Sequence, residues 1–348
     1  MGTIFTILIA LLIFCFLIFI HEFGHFIVAK LCKIKVNEFA LGMGPTLFKF
    51  KKNETLYSLK LFPVGGYCAM EGEDEESSDE NAFNNKSVWK RILVVVAGAF
   101  MNILLGLILV FISVVATPAQ NGFPSTVIDH FKESPVSDSY LQKGDKIIKI
   151  NNQSVYIAND INFAFSRNIK GTPMDITVIR NGEKLVIKDV EFPKLNTENG
   201  YSMYYPDFKV ERLDKNIANV FKQTAFQTRS YIALVYGSLG DLLTGKLGIK
   251  DISGPVGITT AIGSAVQSSD IFSNLIFLIT LITINLGIFN LLPFPALDGG
   301  RLVFLIIEGI RRKPINRKYE AYIHFAGLMI LFGLIIIVTF KDIFSFFG

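Results

Sequence analysis

The chain has 348 residues, a formal net charge of +4, 51% apolar residues, 32 phenylalanines and a mean hydropathy of +0.44. These values exclude an ordinary soluble enzyme and fit a polytopic membrane protein with polar segments between its spans. The small positive charge gives no reason to invoke nucleic acid. The three cysteines, Cys15, Cys32 and Cys68, have neither metal-type spacing nor the pattern of a disulfide framework.

In chain order, the first apolar run, about Ile4 to Ala29, is long enough to cross a bilayer. It lacks the basic start and small-residue cleavage site of a secretory signal, so it is expected to be retained. Its inner end carries His21-Glu22-Phe23-Gly24-His25. On a helix turning about 100° per residue, His21 and His25 share a face one turn apart and can hold one ion. Glu22 is then beside the ion without ligating it, as suits a general base acting on water. HExxH occurs by chance, and paired histidines are often core residues. Ionisable groups at the edge of a span are costly to insert, however, and that cost favours a functional metal site.

Beyond this span, Thr46 to Lys51 and Thr55 to Phe62 read as strands joined by Lys52-Asn53-Glu54, a pattern that by itself says only hairpin. Glu71 to Glu80 holds seven acids in ten residues and reads as a solvated, disordered loop. Trp89, beside Lys90 and Arg91, reads as an interfacial anchor ahead of a second span, about Ile92 to Ala116. Pro118 to Asp270 is mixed and charged, with room for one small domain that has its own core. Within it, Asp175 to Arg180, Asn181-Gly182 and Lys184 to Ile187 form a clear hairpin signal. From Lys215 to about Leu243 a helical apolar pattern suggests a helix on or against the membrane, either a gate to the third span or a support. His130 and His324 lack ligand partners in sequence and read as incidental.

The third span, about Ile271 to Leu292, runs into Asn290-Leu291-Leu292-Pro293-Phe294-Pro295-Ala296-Leu297-Asp298-Gly299-Gly300. The prolines end regular helix, and the glycine pair permits a sharp turn. Two histidines leave a catalytic zinc one protein ligand short, and Asp298 is the candidate. Thr3 to His21 and Asn274 to Leu292 are each 18 residues apart, about 27 Å of helix against a hydrocarbon core of about 30 Å. The two spans run in the same direction, so His21, His25 and Asp298 reach one depth. Alone, Asp298 would read as a capping residue; the matching depth favours the ligand. A fourth span follows at about Ala321 to Thr339.

Ten Lys or Arg lie between Lys30 and Arg91, and Arg311, Arg312, Lys313, Arg317 and Lys318 crowd the last loop. The positive-inside rule puts both loops in the cytoplasm, with both termini and the Pro118 to Asp270 region outside.

With His21 to His25 and Asn290 to Gly300 in place, the chain resembles the site-2 protease family of intramembrane zinc metalloproteases, of the bacterial regulator-of-sigma-E protease type. Gly42-Met43-Gly44-Pro45, Val64-Gly65-Gly66-Tyr67 and Gly254-Pro255-Val256-Gly257-Ile258 add to the resemblance, which covers nearly the whole chain. It implies a mainly α membrane protein of four transmembrane helices, a membrane-associated β-hairpin and one extracytoplasmic α+β PDZ-like domain. The corresponding division is 1–30, first transmembrane helix with HExxH; 31–90, cytoplasmic loop with hairpin; 91–117, second transmembrane helix; 118–200, PDZ-like domain. Residues 201–270 would be amphipathic linker helices, 271–300 the third transmembrane helix with the ligand Asp, and 301–348 a cytoplasmic loop and fourth transmembrane helix.

The resemblance further implies Zn2+ held by His21, His25 and Asp298, with Glu22 activating water. Asn290 would hold substrate backbone or a developing oxyanion, or else brace neighbouring helices. Gly65, Gly66, Pro293 and Pro295 would contact substrate. The implied activity is hydrolysis of single-span membrane proteins, anti-sigma factors or remnant signal peptides after a first cut, in a bacterial cytoplasmic membrane. The PDZ-like domain would filter substrates by size or serve as a spacer, since no carboxylate-binding loop is evident. The alternatives are a catalytically inactive membrane scaffold or sensor using that domain, and a metal transporter. A transporter calls for polar residues along a path rather than at one depth. Oligomeric state is left open.

Overall fold

The computed structural model describes residues 3–73, 75–168, 170–196, 202–248 and 251–347. In chain order the main elements are α1 (Thr3–Leu31), β1 (Val36–Lys52), β2 (Thr55–Met70), α2 (Val88–Ala116), β3 (Phe123–Phe131), β4 (Lys146–Ile150) and β5 (Gln153–Ser154). There follow α3 (Ala158–Ser166), β6 (Met174–Arg180), β7 (Glu183–Val190), β8 (Lys194–Asn196), β9 (Ser202–Tyr204) and β10 (Phe208–Leu213). The chain ends with α4 (Ile217–Leu243), α5 (Pro255–Gln267), α6 (Ile271–Asn290), α7 (Asp298–Arg311) and α8 (Arg317–Phe347). Contacts divide it into two units, Met1–Leu109 with Asp241–Gly348, and Val110–Gly240.

In the first unit, α1, α2, α6 and α8 contain stretches long and apolar enough to cross a membrane. None carries an interior proline, so each satisfies its own backbone, as a lipid-facing segment must. Helix α2 meets α1 at Gly24, where a Cβ would lie 2.4 Å from Ala97 O, closer than any side chain permits. A buried cluster including Ala29, Val36, Phe39, Met70, Val94 and Leu305 ties α1, the base of the hairpin, α2 and α7 together.

The hairpin is longer than the strands read from sequence and folds back on itself. Residues 38–41 of β1 pair with both 66–69 and 56–59 of β2, while 46–52 pair with 55–60. The result is a curled sheet of four segments in the order 66–70, 36–41, 55–62, 46–52. Gly42 and Gly44, at φ 84° and 87°, make the bend in β1 that side-chain-bearing residues resist.

One further helix differs from the sequence expectation. The segment after Asp298 is α7 rather than loop, ending at Arg312 in the left-handed conformation (φ 54°). Gly254 and Pro255 begin α5, whose Ile262 and Val266 pack on Ala10 of α1. Asp342 of α8 accepts from Gly254 N (2.9 Å) and Gly257 N (2.8 Å), supplying the anionic partner that a helix start wants.

The second unit holds an antiparallel sheet ordered β10-β3-β4-β6-β7, with β5 beside β4. Its core includes Ile128, Ile147, Ile150, Phe165, Ile176 and Phe192. Hairpin β6–β7 turns through Asn181 and Gly182, both at positive φ, as expected for this dipeptide. A boundary at residue 200 is too early. Residues 202–204 and 208–213, read as part of a helical linker, are strands, and β10 pairs β3. Residues 197–200 of the expected domain lie outside the described residues. Within this unit, helix α4 packs beside α3: Ser230 Oγ donates to Asp160 Oδ1 (2.6 Å), and Phe226 stacks on Tyr156.

Asp145 is fully buried and accepts from Arg180 Nε (2.8 Å), Arg180 Nη2 (2.7 Å) and Gln142 N (2.8 Å). Asp145→Ala removes the anion from that guanidinium and leaves it the carbonyl oxygen of Tyr140, 3.1 Å from Nη2. We expect a loss of about 3 kcal/mol, measured as faster amide hydrogen exchange in β3, β4 and β6 of the full-length protein.

Candidate metal centre

Helix α1 presents His21 and His25 one turn apart, each 8% exposed, with ring centroids 4.8 Å apart and their Nε2 atoms 3.2 Å apart. Asp298, the first residue of α7, brings Oδ2 to 3.1 Å from His21 Nε2 and 3.4 Å from His25 Nε2. Ligands at 2.0–2.2 Å from a tetrahedral zinc are spaced about 3.3 Å apart, so the three atoms form one face of such a tetrahedron. Oδ2 of Asp298 is buried without a well-formed hydrogen bond. Among the described residues, this is the one group of three His, Cys, Asp or Glu whose ligand atoms lie within 4.8 Å of each other. Two imidazoles and a carboxylate are a zinc donor set that leaves a fourth position open.

Helix α2 supplies the walls. His25 Nδ1 lies 2.8 Å from Val94 O and donates to it, leaving the Nε2 lone pair turned toward Asp298. The amide of Asn102, fully buried, lies 3.2 Å from His21 Nδ1. One turn before it, a Cβ on Gly98 would sit 2.3 Å from His25 Nε2 and 2.8 Å from His21 Cε1. The sequence reading passed over this pair. Its signal was a glycine and an amide four residues apart inside an apolar span, where a lone amide needs a partner.

Asp298 is delivered by a tight turn. Phe294 N donates to Leu292 O (2.6 Å) and Leu297 N to Phe294 O (3.2 Å), and Ala296 adopts φ 77°. Ala296 N donates to Nδ1 of His324 in α8 (3.0 Å). His324, read as incidental from sequence, is therefore bound to the turn that carries Asp298.

Of the other residues singled out from sequence, Gly66 lies at Glu22, since a Cβ there would be 3.3 Å from Glu22 Cγ. Gly65 sits in the bend beside Met43 at φ 85°. Pro293 and Pro295 are in the turn, Pro295 seated against Gly327 of α8. Asn290 ends α6 and is partly buried. Three acids of the run, Glu71, Glu73 and Asp79, are held, while Glu75, Glu76 and Glu80 are exposed. Glu71 accepts from Asn37 and Ser77, Asp79 pairs with Lys35, and Glu73 pairs with Arg301 of α7; Asp74 lies outside the described residues. A cavity of about 720 Å³, lined among others by Glu73, Arg91, Arg301, Glu308 and His324, opens onto Asp298.

The family model described as peptidase family M50 matches residues 9–334. A Clostridium perfringens protein named "Putative zinc metalloprotease" is 38% identical over 340 residues, 97% of this chain and 98% of the relative. Zinc metalloprotease RasP of Bacillus licheniformis is 30% identical over 424 aligned positions, covering 97% of this chain and 98% of its own. Regulator of sigma-W protease RasP of Bacillus subtilis is also 30% identical, with 97% and 98% covered. The chain belongs to peptidase family M50, the site-2 protease family of zinc metalloproteases.

Proposed function

We propose that this protein is an intramembrane endopeptidase in which His21, His25 and Asp298 ligate zinc and Glu22 is the general base. The observation that carries the proposal is the converging triangle of two Nε2 atoms and Oδ2, with edges of 3.1–3.4 Å. Bound there, zinc supplies Lewis acidity, acidifying water and polarising a peptide carbonyl. Glu22 takes the proton of the attacking water as its oxygen adds to the carbonyl carbon. The same carboxyl then delivers that proton to the amide nitrogen as the C–N bond breaks. Asn290 is assigned to the substrate backbone or the developing oxyanion.

His21 serves best when its Nδ1–H donates to the Asn102 amide oxygen, freeing the Nε2 lone pair. That oxygen is buried without a partner when the amide nitrogen faces the ring, and rotating the amide half a turn supplies the acceptor.

Residues 66–70 form an outer segment of the curled sheet, starting at Glu22. A substrate stretch unwound from its helix would add to this edge at Gly65 and Gly66, with Pro293 and Pro295 opposite. Exposed Leu47, Phe48, Phe50, Leu61 and Phe62 suit the hairpin tip to lipid. By the positive-inside rule we assign the 31–90 segment and the basic loop around 311–318 to the cytoplasm of a bacterium, and both termini and the β-rich unit, read as PDZ-like, to the outside. There the unit would exclude bulky ectodomains, so that a first protease must trim them. Anti-sigma factors or remnant signal peptides are the proposed substrates, a reading supported by the relative named regulator of sigma-W protease.

Glu22→Gln is expected to keep zinc content and fold while cutting cleavage of a model transmembrane substrate by about 10²–10⁴-fold; undiminished turnover would end the mechanism. Biological function persisting in a metal-free Asp298→Ala protein would favour the scaffold reading instead. Asn102→Leu should weaken zinc binding about 10–100-fold in chelator competition, and excess zinc should restore most of the activity.

A further inference from the structure

We infer that His324 is a positioning residue for the metal centre, acting through the backbone of Ala296 to fix where Asp298 stands. The inference rests on the ligand assignment proposed above. Asp298 opens α7, so its place is set by the five residues before it, and the least comfortable of these is Ala296, a non-glycine residue at φ 77°. A residue with a Cβ leaves that region unless its surroundings over-determine it. Two neighbours on one face of α8 do so. His324 Nδ1 accepts from Ala296 N at 3.0 Å, and Gly327, three residues on, lets Pro295 approach so closely that a Cβ there would come within 2.5 Å of Pro295 Cβ and O.

The hydrogen bond also fixes the imidazole's proton. Nδ1 accepts, so the neutral ring carries its hydrogen on Nε2, the atom that faces Glu320 Oε1 at 4.0 Å one turn earlier. The Phe304 ring of α7, centred 5.6 Å away, confines the imidazole from the side. A neutral acceptor at this position is thus built in from three elements: the turn, α7 and α8. Its effect is to place a carboxylate oxygen where an error of about 1 Å would open the site.

The test compares His324→Phe, which keeps an aromatic ring but offers no acceptor, with His324→Asn, whose Oδ1 can replace Nδ1. The probe is Co2+ added to the metal-stripped full-length protein, read by the intensity of its visible absorption, which reports tetrahedral coordination, and by chelator competition. His324→Phe should bind cobalt about 10–100-fold more weakly and with a fainter band, and His324→Asn should recover the wild-type band and affinity to within about threefold. His324→Phe with wild-type cobalt binding, or His324→Asn as impaired as His324→Phe, would overturn the inference. Should His324→Phe not accumulate, Gly327→Ala strains the same turn from the other side, and an unchanged cobalt spectrum in it would count equally against the proposal. Asp298→Ala separates the two levels: if it too binds cobalt normally, the ligand assignment fails, whereas if it alone loses the band, only the role of His324 does.

Discussion

Three lone pairs that repel one another converge within 3.1–3.4 Å at the edge of the membrane-spanning helices, and most of the surrounding structure is needed to keep them there. Two imidazole nitrogens and a carboxylate oxygen hold such an arrangement only with a cation or proton between them. The restraints act on each of the three side chains from behind. Val94 O fixes the His25 ring, Asn102 meets the His21 ring, and the 293–297 turn, tied to α8, fixes Asp298. Glycines at 24 and 98 let α2 come close enough to α1 to do this, the first by admitting the backbone of Ala97 and the second by leaving the space the imidazoles occupy. The chemistry is thus a property of helix packing as much as of the motif.

A hydrolytic site in a membrane protein also needs water, and water needs polar surface. The cavity of about 720 Å³ at Asp298 answers this with charge arranged in pairs. Arg91 grips Glu308 with both guanidinium ends, at 3.0 and 2.5 Å, and Arg301, one turn beyond Asp298, grips Glu73. Paired charges keep a cavity hydrated without leaving an isolated ion to desolvate, which would be costly near a span. The pairs also join separate chain segments: Glu73 belongs to the acidic run and Arg301 to α7. Charge-run logic reads that segment as solvated and loose, which holds for exposed Glu75, Glu76 and Glu80 but not for Glu73, because composition does not reveal an opposite charge supplied by a distant helix.

What was legible from sequence was whatever repeats locally. The i, i+4 histidines, the four apolar spans, the Asn181-Gly182 hairpin and the proline-broken stretch before Asp298 each carry their signal within a few residues, and equal span lengths predicted a shared depth for the three donors. The misses are all matters of long-range pairing. Strand β10 joins β3 across about 80 residues of chain, so its alternation looked like the start of a linker. The bend at Gly42 and Gly44 doubles the hairpin over, and only the register reveals that residues 38–41 are paired on both sides. Helix α7 was hidden because its first turn is Asp-Gly-Gly, a sequence that reads as loop. Asn102 and His324 were hidden because neither falls in a recognisable spacing with the residues it serves.

The curled sheet has a consequence for how a buried peptide bond becomes reachable. Inside a transmembrane helix each carbonyl is hydrogen bonded to its own chain, and unwinding it in lipid leaves several backbone groups unsatisfied at several kcal/mol each. A site that only waited for such an event would see it rarely. In the proposed function, an outer sheet segment beginning at Gly66, against the Glu22 side chain, would offer replacement partners beside the assigned base. The doubled-back sheet makes that edge firm, since residues 66–70 are backed by 36–41, which are backed in turn by 55–62. The glycines let extended backbone approach the carboxylate without a side chain between them. In the proposed mechanism, the free energy that unwinds the substrate comes from strand pairing beside the base, and the metal has only to act on a chain already extended.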